Sequence, residues 1–556
     1  MRVFVTLILT VALLPGCQTA PPPPDYAPLV ERAKAGEPIP LPELRGAFLA
    51  TADFNERMQK LAPLERQAMQ MLEDEPLRLG AIGSAILDLY YGSVAGHYAL
   101  VKFYEHVEVP EAVASHRKWL DSITAAIESE GDGSREAPYP VISASEAQAF
   151  LKVRDYLPEG SMYHSTEEVP FMMLIAARPR SGGHLENSYF DLTDAYRSVR
   201  DSLEHQEAQD REQPFSPGVL IGYLAQRDDS AAQASIGAYL LSQDNLGVAA
   251  EWLNAASRTG NVLANLMLAR LYQQQAEGLE GDERDVALES ALDQYLHAIA
   301  VGSDEAMFSL GSLYLDGMFG EENVSSGIAL LKQAAEAGNA NALLWLGHLH
   351  ADGLHVDKDL DVAASYFKRA AQRGSDLDDA RGTLQYVRFL LANSASRSFD
   401  DEALGWLETA AKEDNSEAML LLGNLYARGV GVSQSYRRAL SWFKNAVGVA
   451  PDDANIVNEV AWTLTVTELT RLRNARYALV IMDRVMESDE EARGNPAYLD
   501  TWAAAHAANG DFDRAVALQQ QALEAAEDQE QPDVVDVLRD HLEAFQRGET
   551  LTDPVP

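Results

Sequence analysis

One pattern constrains this chain more than any other: Ala-x3-Leu-(Gly/Ala)-x-Leu-Tyr is written again and again. It stands at Ala264/Leu268/Ala269/Tyr272, Ala306/Leu310/Gly311/Tyr314, Ala342/Leu346/Gly347/His350 and Ala418/Leu422/Gly423/Tyr426. The first alanines are 42, 36 and 76 residues apart; the last interval is twice 38, and Ala380/Leu384 falls midway, so a degenerate copy fills it. A weaker copy starts near Ala232/Ile236/Gly237/Tyr239. About 25 residues after each anchor an aromatic or leucine precedes an alanine pair, as in "LLKQAAEAG" (330–338) and "YFKRAAQRG" (366–374). Self-similarity at this period marks stacked short units, each burying its apolar face only against its neighbours. A glycine-rich phosphate cradle would be written once, so the repetition argues for packing instead.

The spacing predicts two helices per unit. Leu310, Leu313 and Tyr314 share one helical face, as do their equivalents. Small residues at Gly311, Gly347 and Gly423 let the second helix, with its alanine pair, approach closely. Gly317, Gly353 and Gly429 fall just past the first helix, where a left-handed residue ends it. These residues, and "LYARGVGVSQSYRRALSWFKNA" (425–446) throughout, resemble Sel1-like repeats of the tetratricopeptide superfamily. The resemblance covers 231–450, with an insertion at 275–290 and a departure at Gln385, where the small residue is lost. Residues 496–526 resemble an ordinary tetratricopeptide unit, with Gly510, Ala515 and Ala522 in place; 453–490 reads as a helical pair and 532–549 as a polar capping helix. The fold class expected is mainly α: an α-solenoid of helix pairs.

In a tetratricopeptide-type first helix, the residue after the small position and the one three before it face an inner groove. Carried over by that resemblance, one stripe is Arg270, Ser312, His348, Tyr386 and Asn424, and the other is Leu266, Phe308, Leu344, Gly382 and Leu420. A polar stripe beside an apolar one suits a peptide or an amphipathic helix.

Ahead of the repeats the texture changes twice. Residues 26–130 read as helices, with a hairpin over 96–123 that breaks near Val109-Pro110. Residues 131–203 read as a small α+β element: strand character at 160–166, 169–179 and 188–192, then a helix with Thr193 as its N-cap. Within it, "SEGDGSREAPYPVIS" resembles a bacterial domain family with a similar Gly-Asp-Gly followed by Val-Ile-Ser, which implies no activity.

The first residues carry an address. Met1-Arg2, the apolar run "VFVTLILTVALL" and Pro15-Gly16 form a signal segment, 1–16, whose apolar run is too short to span a membrane. "LPGC" resembles the lipobox of bacterial lipoproteins, which implies acylation of Cys17, the only cysteine; Pro15 departs from the usual small or aliphatic residue. Gln18 is not the aspartate of inner-membrane retention, so the expected location is the outer membrane, lipid-anchored and facing the periplasm. Residues 17–25 hold four consecutive prolines, an extended stalk rising about 3.1 Å per residue. The organisation expected is therefore 1–16 signal, 17–25 stalk, 26–230 helical with the α+β element, 231–450 Sel1-like, 451–548 tetratricopeptide-like with its cap, and 549–556 tail.

Composition narrows the partners. Lys and Arg number 44 against 85 Asp and Glu, a formal charge of −41, which argues against nucleic acid and anionic lipid surfaces. One cysteine excludes an intrachain disulfide or a CxxC site. No P-loop, HExxH or GxSxG motif occurs, and His97, His116, His164, His184 and His205 show no i,i+4 ligand spacing. Asp132 in "GDG" reads as a turn. The expectation is a non-enzymatic scaffold without metal or cofactor that binds proteins or peptides, within an envelope assembly or export complex. The alternative is that 131–203 is a ligand-binding or enzymatic domain and the repeats recruit for it.

Overall fold

The computed structural model describes residues 24–72, 74–166, 168–206, 215–319, 323–375, 379–393, 399–529 and 531–553. The 1–16 segment, Cys17 and most of the stalk lie outside the described residues. The chain forms two compact units, Met1–Ala306 and Met307–Pro556, divided within the helix Asp304–Leu315.

The first unit begins with helices at Tyr26–Lys34, Leu41–Leu49, Phe54–Met71 and Leu79–Leu89, then the hairpin Val94–His106 and Pro110–Glu130. Pro110 opens the second helix of that hairpin, where its missing N–H costs nothing. The α+β element follows. Its sheet runs β1 (Tyr139–Pro140), β4 (Glu186–Asp191), β3 (Met172–Pro179), β2 (Tyr156–His164), with β1 parallel to β4 and the other pairs antiparallel. Three strands were expected; β1 was not, because a two-residue strand containing proline carries little pattern and suits only a sheet edge. Thr193 is no N-cap: its Oγ1 accepts from Phe171 N–H, while Asp191 Oδ1 accepts from Thr193 N–H at 2.8 Å. Phe48, Phe54, Tyr90, Phe150 and Phe190 share one continuous core with Ala231 and Ala232 of the first repeat.

The other edge of the sheet, β2, lies against the repeats. Tyr163 N–H donates to Ser235 Oγ at 2.7 Å. Asn261 takes Ser161 N–H on Oδ1 and returns Nδ2 to Ser161 O at 2.8 Å. A Cβ on Gly160 would stand 2.8 Å from Asn261 Oδ1, so glycine, next to the register shift at Pro158/Gly160, lets this contact form. Side-chain amides and hydroxyls thus satisfy an edge that would otherwise invite another strand.

The expected helix pairs form along the repeats. In the first unit they are Ser230–Ser242 with Leu246–Ser257 and Val262–Glu277 with Gly281–Ala300. In the second, after Asp304–Leu315 and Val324–Glu336, come Ala340–Asp352 with Leu360–Ser375, Arg381–Ala392 with Asp401–Lys412, and Ser416–Arg428 with Tyr436–Val449. The pairs Ala454–Val466/Ala475–Ser488 and Pro496–Ala508/Phe512–Asp528 continue, and Pro532–Gln546 closes the series. The degenerate copy at 381–412 is a full pair.

Candidate functional site

A recurrent cap sets where each first helix starts. Asn339 Oδ1 accepts from Ala342 N–H and Asn415 Oδ1 from Ala418 N–H, each at 2.9 Å; Ser303 and Asp453 serve the same role. Such a cap is worth about 1 kcal/mol. At the other end Gly317, Gly353 and Gly429 take φ of 71°, 78° and 73°, the left-handed stop expected of them. The small position has a sharper cause than the alanine pair. A Cβ on Gly347 would meet the Phe367 ring at 2.6 Å, and one on Gly423 the Phe443 ring at 2.3 Å. The aromatic before the alanines is the partner, and its ring fills the space a side chain would need.

That register leaves two clefts along the first helices within the second unit. The first, about 300 Å³, is lined by Phe308, Asn341, Leu344, Trp345 and His348. Phe308 and Trp345 meet edge to face at 5.7 Å, and exposed His348 stands at the rim with its ring edge-on to Phe367 at 5.0 Å. The second, about 440 Å³, is lined by Leu391, Ala392, Leu420, Leu421 and Asn424, with Arg388, Arg428 and Glu459 around them. Asn424 is 7 % exposed and its Oδ1 has no hydrogen-bond partner among the described residues. Burial raises the Glu459 carboxyl above the usual range, with the Arg388 charge opposing. Both clefts thus set a few polar or charged groups beside apolar walls.

Five of the expected groove residues therefore line the clefts: Phe308, Leu344, His348, Leu420 and Asn424. Ser312 bonds back to Ser309 O at 2.8 Å. Tyr386 departs from expectation: it is 5 % exposed and its hydroxyl donates to Asp400 Oδ2 at 3.0 Å. A buried phenol needs a partner, and Asp400, the cap of the second helix in that pair, supplies it. Gly382 packs on the Ala370 backbone and lines neither cleft. Leu266 and Arg270 belong to the first unit, where Arg270 pairs with Glu305. Trp345 and Asn341 lie outside the two expected stripes, and the large aromatic directly after Leu344 is the sequence signal for them.

Two histidines of the N-terminal helices meet across the hairpin. His97 and His116 bring their Nδ1 atoms to 3.0 Å, and His97 Nε2 lies 2.9 Å from Tyr91 O. A carbonyl only accepts, so Nε2 carries the proton, and His97 Nδ1 accepts from His116. Burial, then the His116 charge, pushes the His97 pKa down to about 3. Deeper, Ser93 and Ser143 hydroxyls bond the two oxygens of fully buried Glu65 at 2.6 and 2.9 Å. Burial, then the Glu146 charge, pushes Glu65 up to about 8. Glu146 caps its own loop through Ile142 N–H at 2.8 Å, and its field reaches Arg45. Asp132 Oδ1 accepts from Ser134 N–H, the turn expected. Among the described residues no three His, Cys, Asp or Glu side chains are placed to hold a metal, and no helix is long and apolar enough to cross a membrane.

The Sel1 repeat family matches residues 304–339, 340–375 and 416–447, so the chain carries three Sel1 repeats. The other helix pairs lie outside the matched residues. Among solved structures, a protective antigen of uropathogenic Escherichia coli strains displaying an SLR fold is similar at 16% identity, over 95% of this chain and 98% of that one, with a TM-score of 0.42. A Sel1 repeat protein from Oxalobacter formigenes is 20% identical over 42% of this chain and 94% of its own, TM-score 0.32. Yeast Tom70 is 12% identical over 88% and 97%, TM-score 0.35. Among curated proteins no match was found. Repeat scaffolds of this kind generally mediate protein–protein interaction and are typically non-enzymatic.

Proposed function

We propose that this protein is a lipid-anchored scaffold on the periplasmic side of the outer membrane, which holds partner proteins or peptides of an envelope assembly in the clefts of its second unit. The observation that carries the binding part is the Phe308–Trp345–Leu344 wall with His348 at its rim. Aromatic anchors beside a polar edge are what a segment-binding surface concentrates. The anchoring part rests on Cys17 and the residues before it.

Two experiments test it. A photo-crosslinking residue at His348 in the full chain, expressed in the native host, is expected to trap a discrete partner. Trp345→Ala with Phe308→Ala should abolish the adduct; an adduct that survives both overturns the cleft reading. Cys17→Ser should move the protein out of the outer-membrane fraction, and unchanged retention there overturns the anchor.

A further inference from the structure

The segment Glu549–Asp553, after the last helix, is held against its own unit. Asp553 forms a parallel bridge with Thr467: its N–H donates to Val466 O at 2.8 Å and its C=O accepts from Glu468 N–H at 3.1 Å. Trp462 Nε1 donates to Asp553 Oδ2 at 3.2 Å. Arg473 Nη2 donates to Thr552 Oγ1 at 2.9 Å, while its Nε fixes Thr467 O at 2.7 Å. Leu551 packs on the core of the last helix pairs. Backbone pairing combined with side-chain recognition is how proteins hold an extended peptide added to an exposed edge.

The register of Trp462 gives this contact its meaning. His348 lies nine residues after the cap Asn339, and Asn424 nine after the cap Asn415. Trp462 lies nine after the cap Asp453. It is therefore the same helix position that borders both clefts, and here the chain's own segment covers it.

We infer that the Trp462 face is a recognition site for an extended protein segment in which an apolar residue and a hydroxyl residue precede an aspartate, with Glu549–Asp553 as its tethered occupant. The indole N–H reads the aspartate, Arg473 reads the hydroxyl, and the loop backbone at 466–468 sets the register. This rests on the reading that the position nine residues after the cap faces bound segments. A short tether supplies its occupant at an effective concentration on the order of millimolar, so an incoming segment must displace it.

The probe is a fluorescein-labelled peptide of residues 548–556, GETLTDPVP, titrated by fluorescence anisotropy. The chain lacking 549–556 is expected to bind it about tenfold or more tightly than the full chain. Asp553→Ala in the full chain should raise binding in the same direction, which keeps the test independent of how well the shortened chain folds. Trp462→Ala in either background, or Asp553→Ala in the peptide, should lower affinity about tenfold or more. If neither the shortened chain nor the full-length variant binds better than the unaltered protein while circular dichroism is unchanged, the segment is a structural strap and the inference fails. Phe308→Ala with Trp345→Ala should leave peptide binding intact, so failure here and failure of the cleft reading are distinguishable.

Discussion

Around Phe48 and around Phe443 the protein builds interiors of opposite character. The first core mixes aromatics with Glu65, Glu146, Arg45 and His97, all buried. The second repeats leucine, alanine and one or two rings per pair, and among the described residues of 340–449 the buried side chains carry no charge, Thr383 and Asn424 included. A core that needs only shape can be copied every few dozen residues. A core whose charges must find one another cannot, because each such group is costly unless its partners are in place. Sensitivity to cavities should therefore dominate in the repeats, and sensitivity to pH in the N-terminal region.

The largest effect should come from Phe443→Ala. The ring is fully buried and fills the space left by Gly423, so its loss should cost ~3–5 kcal/mol. Hydrogen exchange should rise most in 416–449 and decline with distance along the pairs, because each contacts chiefly its neighbours. Equal loss of protection across the whole second unit would erase the contrast with the first.

The pH slope of the first unit is the counterpart of that cavity. Glu65 is held neutral to about 8 when folded but ionises near 4.5 when unfolded. Its contribution is therefore fully present below about 4.5 and is lost as pH rises through about 8. His97 runs the other way: its folded pKa is depressed to about 3, so its term grows between about 3 and 6.5 and is constant above. Between pH 6.5 and 8 the Glu65 term stands without that opposition, and one proton over that span is ~2 kcal/mol. Glu65→Gln keeps an acceptor and a donor for the serines and should flatten the decline, measured by denaturant melts at a series of pH values. A variant that retains the wild-type slope would show the carboxyl already ionised.

The sequence carried the repeats well because their cause is local: Gly347 and Gly423 answer to rings about 20 residues away within one pair. The caps are equally local, as the Asn three residues before Ala342 and Ala418. What stayed hidden depends on distant partners. Tyr386 matches the groove register by spacing but turns to Asp400, and nothing in the spacing records where a phenol finds its acceptor. The pairing of His97 with His116 spans a hairpin, and Trp462 with Asp553 spans 91 positions, so neither leaves a period to detect.

A pair of caps sharpens the comparison between the units. Asn415 caps its helix at Ala418, and Asn415→Ala should cost ~1 kcal/mol. Asn261 caps Leu263 and also satisfies both backbone groups of Ser161 on β2. Its loss leaves a buried N–H and C=O unmet, so Asn261→Ala should cost ~2–3 kcal/mol and raise amide exchange along 156–164. Equal costs for the two would mean that the sheet edge does not depend on the repeats.

The smallest effect concerns His541, beside the segment at Trp462. Its ring lies 5.9 Å from that indole, and Nδ1 meets the two Asp500 oxygens at 2.9 and 3.1 Å. Asp500 also accepts from Gln519 at 2.7 Å. Burial disfavours the imidazolium, but the Asp500 hydrogen bond and the charges of Asp500, Asp540 and Asp553 outweigh it, so the pKa is raised. The imidazolium is thus present below the ordinary value near 6.5 and is lost as pH rises through the folded value. While charged it attracts the Asp553 carboxylate; once neutral it does not. Affinity of the 548–556 peptide for the full-length Asp553→Ala chain should therefore fall a few-fold between pH 6 and 8.5, on the order of 1 kcal/mol or less. His541→Gln should remove that dependence, and so should Asp553→Asn in the peptide. A fall that persists in both would assign the titration elsewhere and leave Trp462 and Arg473 to hold the segment without help from charge.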